Sequence, residues 1–108
     1  MTGIDVTTVM RALADPTRRA IFERIVHAEE ITVVDLTRRG AISQPAVSQH
    51  LRSLKEAGLI VERRQGRNAH YRADPKGLTP LVDWLGIYGL FWSERFANLR
   101  TLLKEIDP

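Results

Sequence analysis

The stretch from Ser43 to Arg72 constrains the fold of this chain more than any other part of it. Ser43 can cap a helix that runs from Gln44 to Ala57 and that Gly58 ends, since glycine accepts the left-handed conformation needed just past a helix C-terminus. Within that helix Val47, Leu51 and Leu54 fall at i, i+4 and i+7 and form a narrow apolar seam. At about 100° per residue, Pro45, Gln49, Arg52 and Glu56 lie on the opposite face. Leu59-Ile60-Val61 then has strand character, Gln65-Gly66-Arg67-Asn68 is a turn signal, and Ala69 to Ala73 supplies a return strand. The expected unit is a helix over about 44–57 leading into a hairpin over about 60–73.

Charge is concentrated on that unit. Residues 38–72 carry eight Lys or Arg against Glu56 and Glu62, a net +6, whereas the segments on either side are each slightly acidic and the whole chain is +3. A basic excess on a helix and hairpin is the electrostatic footprint of a phosphate-binding surface. The same charges can simply keep a surface solvated, so the coincidence with an independent structural motif is what gives them weight.

The rest of the chain reads as scaffold. Asp5 can cap a first helix carrying Val6, Val9, Met10 and Leu13, which ends near Ala14. Asp15-Pro16 restarts the chain as a second helix to about His27, with Ala20 or Ile21, Phe22 and Ile25 inward and Arg18, Arg19, Glu23 and Arg24 mostly facing water. Thr32-Val33-Val34-Asp35 is an acidic capping box for a short third helix that stops at Arg38-Arg39-Gly40. The turn Gly40-Ala41-Ile42-Ser43 has the length and glycine of the link inside a helix-turn-helix. Thr79-Pro80 opens a last helix over about 80–105, whose Leu81, Leu85, Tyr88, Trp92, Phe96, Leu99, Leu103 and Ile106 advance by three or four. Trp84, Ile87 and Phe91 add a second apolar stripe, more than one side of a small domain can bury. Gly86 and Gly89 mark either a bend or a close backbone approach.

At 108 residues, 44% hydrophobic and 27% charged, the chain is expected to fold as one domain. The fold class expected is mainly α with a small β-hairpin: a winged helix-turn-helix of five or six helices plus a two-stranded wing. With no signal segment and no apolar run of membrane-spanning length, the expected location is cytoplasmic, with no membrane partner. Absence of cysteine removes disulfides, thiolate metal sites and thiol chemistry.

On a recognition helix the N-terminal residues approach base edges, which nominates Gln44, Pro45, Ser48, Gln49 and, a turn further, Arg52. Gln can bond adenine in bidentate fashion, Ser can donate or accept, Arg can fork onto guanine, and the Pro ring can contact a thymine methyl. Arg63, Arg64, Arg67 and Arg72 are candidates for phosphate, with Arg67 at the hairpin tip placed to enter a minor groove. Thr17, Arg18 and Arg19 are weaker candidates of the same kind. Ser48 and His50 point about 200° apart on their helix and cannot pair as nucleophile and base, and His27, His50 and His70 are scattered. No Gly-rich phosphate loop, zinc-hydrolase motif or carboxylate pair occurs, so no enzyme is expected.

Three runs together carry a resemblance: Arg11-Ala-Leu-Ala-Asp-Pro-Thr-Arg-Arg-Ala-Ile, Ile42-Ser-Gln-Pro-Ala-Val-Ser-Gln-His-Leu-Arg-Ser-Leu-Lys-Glu-Ala-Gly-Leu-Ile, and Gly66-Arg-Asn-Ala-His-Tyr-Arg. They resemble the ArsR/SmtB family of bacterial winged-helix repressors over nearly the whole chain. The resemblance implies a homodimer built from the first and last helices, binding double-stranded DNA at a near-palindromic operator and releasing it when an inducer binds. Val6, Met10, Leu85, Tyr88, Trp92, Phe96, Leu99 and Leu103 are then the candidate dimer interface. The family's sensory motifs do not carry over. Where a thiolate site has Cys-Val-Cys before Asp-Leu, this chain reads Thr32-Val33-Val34-Asp35-Leu36, and Asp83 is followed by Trp84 and Leu85 instead of a second ligand. The expectation is a member with no metal and no cofactor, whose small-molecule inducer, if one exists, is unidentified. The competing reading is a winged-helix interaction module, an anti-repressor or adaptor that uses the last helix and does not bind DNA specifically.

Overall fold

The structure is a computed structural model that describes residues 4–38 and 42–106; the side chains of Phe96 and Ile106 fall outside the described residues, as do Arg39, Gly40 and Ala41 at the expected stop of the third helix. The first four helices each start where a short polar side chain can satisfy free amides. Asp5 accepts hydrogen bonds from the amide and hydroxyl of Thr8, both at 2.9 Å, at the head of α1 (Val6–Ala14). Asp15 accepts from the Arg18 amide at 2.9 Å and Pro16 opens α2 (Pro16–Ala28). The Thr32 hydroxyl accepts from the Asp35 amide at 3.2 Å, opening α3 (Val33–Arg38).

Ser43 accepts from the Ala46 amide at 3.3 Å and starts α4 (Gln44–Glu56). This helix ends in a Schellman motif: the Gly58 amide donates to Lys55 O and the Leu59 amide to Leu54 O, each at 3.0 Å, while Gly58 takes φ +75°. The chain then reverses into β2 (Ile60–Gln65) and β3 (Asn68–Ala73). Gln65 faces Asn68 across a two-residue turn with Gly66 at φ +61°, the positive angle that a primed hairpin turn requires.

One element was not legible in the sequence. Ile31–Thr32 forms a two-residue strand, β1, that pairs antiparallel with the outer side of β3, so the expected two-stranded wing is rooted in a three-stranded sheet of order β1-β3-β2. Two residues give no measurable alternation. The pairing of Ile31 with Tyr71 and Thr32 with His70 ties the hairpin to the scaffold between α2 and α3.

The core gathers Val9 and Ala12 of α1, Ile21 and Ile25 of α2, Leu36 of α3, the Val47–Leu51–Leu54 seam of α4, and Leu59, Ile60 and Tyr71 at the root of the hairpin. Ile21, not Ala20, is the inward residue of α2. Arg19 of α2 is exposed as expected, whereas Arg18 and Arg24 are half-buried, and all three donate to backbone carbonyls. Arg18 donates to Ala12 O at 2.7 Å and Arg11 O at 3.2 Å, and Arg19 donates to Leu13 O at 2.7 Å. They satisfy the carbonyls that α1 leaves free at its C-terminus. Arg24 does the same for α3, donating to Leu36 O at 2.9 Å and Asp35 O at 3.2 Å.

The last helix, α5 (Thr79–Ile106), is one continuous 28-residue rod. Its first turn closes on Leu78 O, which accepts from the Val82 amide at 2.8 Å, so Thr79 is inside the helix and does not cap it. Gly86 and Gly89 do not break it, and a Cβ at either would meet nothing within 4 Å. α1 packs against the start of α5, where Leu81 leans on the core. Beyond that point α5 is exposed, including Ile87 at 70% and Leu90 at 77%. Among the described residues no helix is long and apolar enough to cross a membrane.

Candidate nucleic-acid interface

The seam of α4 fixes which way its other side points. With Val47, Leu51 and Leu54 buried, Gln44, Pro45, Ser48, Gln49, Arg52 and Glu56 are all exposed. They divide into two rows. Gln44, Ser48, Arg52 and Lys55 line a cleft of about 300 Å³ shared with Glu62, Arg64, Ala69 and Tyr71 of the hairpin. Pro45 and Gln49 stand on the outer shoulder of the helix, away from that cleft. His50 is half-buried toward the scaffold, and its Nδ1 is buried with no hydrogen-bond partner in the structure.

The alternation of β2 and β3 sorts the wing residues by face. Ile60, Glu62 and Arg64, with Ala69, Tyr71 and Ala73 opposite, look toward α4. Val61, Arg63, Gln65, His70 and Arg72 take the outer face, and Arg67 is at the tip.

The four wing arginines, all candidates for phosphate from the sequence, are in different states. On the outer face Arg63 Nη2 lies 2.6 Å from Glu30 Oε1 and Nε lies 3.4 Å from Oε2, while Nη1 donates to Gln65 at 3.0 Å. Those hydrogen bonds hold the Glu30 carboxyl below its usual range, with the charges of Arg63, His70 and Arg72 adding to the effect. His70 Nδ1 is 3.5 Å from the same carboxylate. On the cleft face Arg64 Nε is 3.1 Å from Glu62 Oε2, and Lys55 Nζ of α4 is 2.9 Å from Glu62 Oε1. Hydrogen bonding to Lys55, with the charges of Lys55 and Arg64, lowers the Glu62 carboxyl, and the hydrogen bond to Glu62 and its charge in turn raise the Lys55 ammonium. Arg52 and Arg67 form no ion pair among the described residues.

Lys55, Glu62 and Glu30 were not among the residues singled out from sequence. Glu62 and Arg64 sit two apart on a strand and so share a face, a signal that was available. Glu30 meets Arg63 across 33 residues, for which the sequence carries no local signal.

The interface residues expected on the first and last helices are placed as follows. Val6 is half-buried and Met10 is 38% exposed on α1. Leu85, Tyr88, Trp92, Leu99 and Leu103 are exposed on α5, and Phe96 lies outside the described side chains. Trp84 and Tyr88 meet at a 47° tilt with centroids 4.9 Å apart, Phe91 and Trp92 meet edge to face at 5.0 Å, and the Arg95 guanidinium lies 3.8 Å over the Phe91 ring. No group of three or more acidic or histidine side chains able to hold a metal occurs among the described residues.

Comparison with known proteins places this geometry in a family. A model described as a helix-turn-helix domain matches residues 13–63, which span α2, α3, α4 and the start of β2. The HTH-type transcriptional regulator Rv2034 of Mycobacterium tuberculosis is 49% identical over 95 residues, covering 88% of this chain and 85% of that protein. An ArsR-like transcriptional regulator from Rhodococcus sp. RHA1 superposes with a TM-score of 0.70 at 29% identity, covering 89% of this chain and 90% of the other. The homodimeric winged helix-turn-helix DNA-binding domain of Mb0332 from Mycobacterium bovis superposes with a TM-score of 0.63 at 25% identity, covering 78% of this chain and 77% of that one. Similarity across both the reading helix and the wing, and over most of each chain's length, makes this protein a winged helix-turn-helix transcriptional regulator of the ArsR/SmtB family.

Proposed function

We propose that the protein is a homodimeric repressor that reads a near-palindromic operator through α4, its wing contacting the DNA backbone or minor groove. The observation that carries this reading is the shared cleft, in which Gln44, Ser48 and Arg52 of the helix face the basic wing across a space open to solvent. A helix seated in a major groove exposes side chains at its N-terminal end to base edges. Gln44, Pro45, Ser48 and Gln49 occupy that end, and Arg52 follows one turn on. Arg67 and Arg72 are the wing residues assigned first to phosphate or groove, because Arg63 and Arg64 must exchange a carboxylate for a phosphate before they contribute. A dimer occupying its operator excludes other proteins from that duplex, which is repression in its simplest form.

Dimerisation follows from the apolar surface that α5 leaves uncovered. Monomeric proteins seldom expose contiguous apolar patches of this kind, and Leu85, Tyr88, Trp92, Leu99 and Leu103 form one with Met10 of α1 as its continuation. The homodimeric relative from M. bovis supports the assignment. A small-molecule inducer acting at this surface is part of the proposal without a chemical identity. The adaptor reading draws on the same exposed α5 surface, but it leaves the basic cleft without a role.

Selection from a random-sequence duplex library tests the proposal. The protein is expected to enrich a two-fold symmetric sequence, and Gln49→Ala and Arg52→Ala are each expected to weaken binding to it. Intact binding by both variants would remove the assigned reading face, and failure to enrich any sequence would favour the adaptor.

A further inference from the structure

Glu62 is the one carboxylate inside the cleft between the reading helix and the wing among the described residues, and it is placed where an anionic duplex would approach. Its side chain is 14% exposed, whereas those of Lys55 and Arg64 are 54% and 71% exposed. Each of its oxygens meets a different cation: Oε1 takes Lys55 Nζ from the last turn of α4, and Oε2 takes Arg64 Nε from near the end of β2. Tyr71, directly across the ladder on the same face, lines the same cleft. The arrangement reproduces what a phosphate offers, two acceptor oxygens held between a lysine and an arginine.

We infer that Glu62 is a positioning residue that stands in for a DNA phosphate in the free protein, holding Lys55 and Arg64 together so that each must leave the carboxylate before it can meet the duplex. It joins the reading helix to the wing through one side chain, and it withdraws two cations from non-specific electrostatic binding. The depressed Glu62 carboxyl accords with a group that stays ionised between its two partners. The inference rests on the proposal that this cleft faces DNA.

Glu62→Gln keeps the shape and removes the charge. Each phosphate newly neutralised steepens the dependence of log affinity on log salt by about 0.9, so release of both cations is expected to steepen the slope for a random-sequence duplex by about 1.8. Glu62→Asp, which keeps the charge in the cleft, is expected to hold the shallower slope. Glu23→Gln, a charge-matched change at an exposed α2 residue, is expected to leave the slope as it is. In a double-mutant cycle, Arg64→Gln should cost at least about fivefold more affinity in the Glu62→Gln background than in the unsubstituted protein. Parallel salt plots with an additive cycle would overturn the inference. Failure of the underlying reading is separately visible, because Arg52→Ala would then leave the selected site bound as before.

Discussion

Arg52 and Arg67 are both exposed, both without an ion pair among the described residues, and assigned opposite roles in the proposed complex, so they separate base reading from phosphate grip. Arg52→Ala is expected to cost about 1–3 kcal/mol on the selected duplex and to relax preference at one base position, as read by fluorescence anisotropy on single-base variants. Arg67→Ala is expected to weaken all duplexes alike and to reduce the salt slope by about one. The exposure of Pro45, Gln49, Arg52 and Glu56 was legible from three buried positions and the 100° rotation per residue, while Gln44 and Ser48 were nominated by their place at the N-terminal end of the helix. The states of Arg63 and Arg64 were not legible, since local sequence cannot say which carboxylate a surface arginine meets. The same limit applied to Arg18, Arg19 and Arg24, whose partners are backbone carbonyls of other helices.

The ion pairs also set a pH dependence. Glu30 and Glu62 have ordinary values near 4.5, and both are lowered in the folded protein by hydrogen bonds to cations, Arg63 for one and Lys55 for the other. A lowered carboxyl contributes stability that is present above its unfolded value and lost as pH falls through its folded value. Urea midpoints are therefore expected to hold steady from neutral pH down to about 5 and to decline below about 4.5, with a smaller decline in the Glu30→Gln, Glu62→Gln double variant. An equal decline in both proteins would mean that these pairs contribute nothing to folding.

At the scale of the element, α4 was predictable because both of its ends are written in local chemistry. The Ser43 hydroxyl and the positive φ of Gly58 are properties of single residues and their neighbours. Ser43→Ala is expected to lower unfolding free energy by about 1 kcal/mol. Gly58→Ala is expected to cost about 1–2 kcal/mol for the left-handed angle alone, and its Cβ would also stand 2.6 Å from Ile4 Cδ1. Chemical denaturation of the two variants measures both, and a Gly58→Ala protein as stable as the parent would refute the Schellman assignment. β1 escaped notice for the opposite reason. Its two residues are a strand only because β3 lies beside them, a tertiary fact with no local trace. The start of α5 shows the same effect in miniature: Thr79-Pro80 reads as a cap, but the preceding turn carries the helix back to Leu78 O.

Across the whole molecule, the chain divides into a basic helix-and-hairpin part, proposed to read DNA, and an apolar part on α1 and α5, proposed to assemble the dimer. The surplus of apolar positions on α5 was visible as periodicity, and the structure gives it a place, since the described apolar side chains from Val82 to Leu103 are exposed. Trp92→Glu is expected to convert a dimer to a monomer in sedimentation velocity while leaving the helical circular dichroism signal largely intact. A monomer that retained full operator affinity would contradict the two-fold account. Paired reading helices engage half-sites one helical turn apart, about 34–36 Å along the duplex. Hydroxyl-radical footprinting on the duplex recovered by selection is the direct measurement. The account predicts two protected, symmetry-related patches separated by one turn, both lost on Arg52→Ala. A single asymmetric patch, or a symmetric footprint that survives Arg52→Ala unchanged, would contradict it.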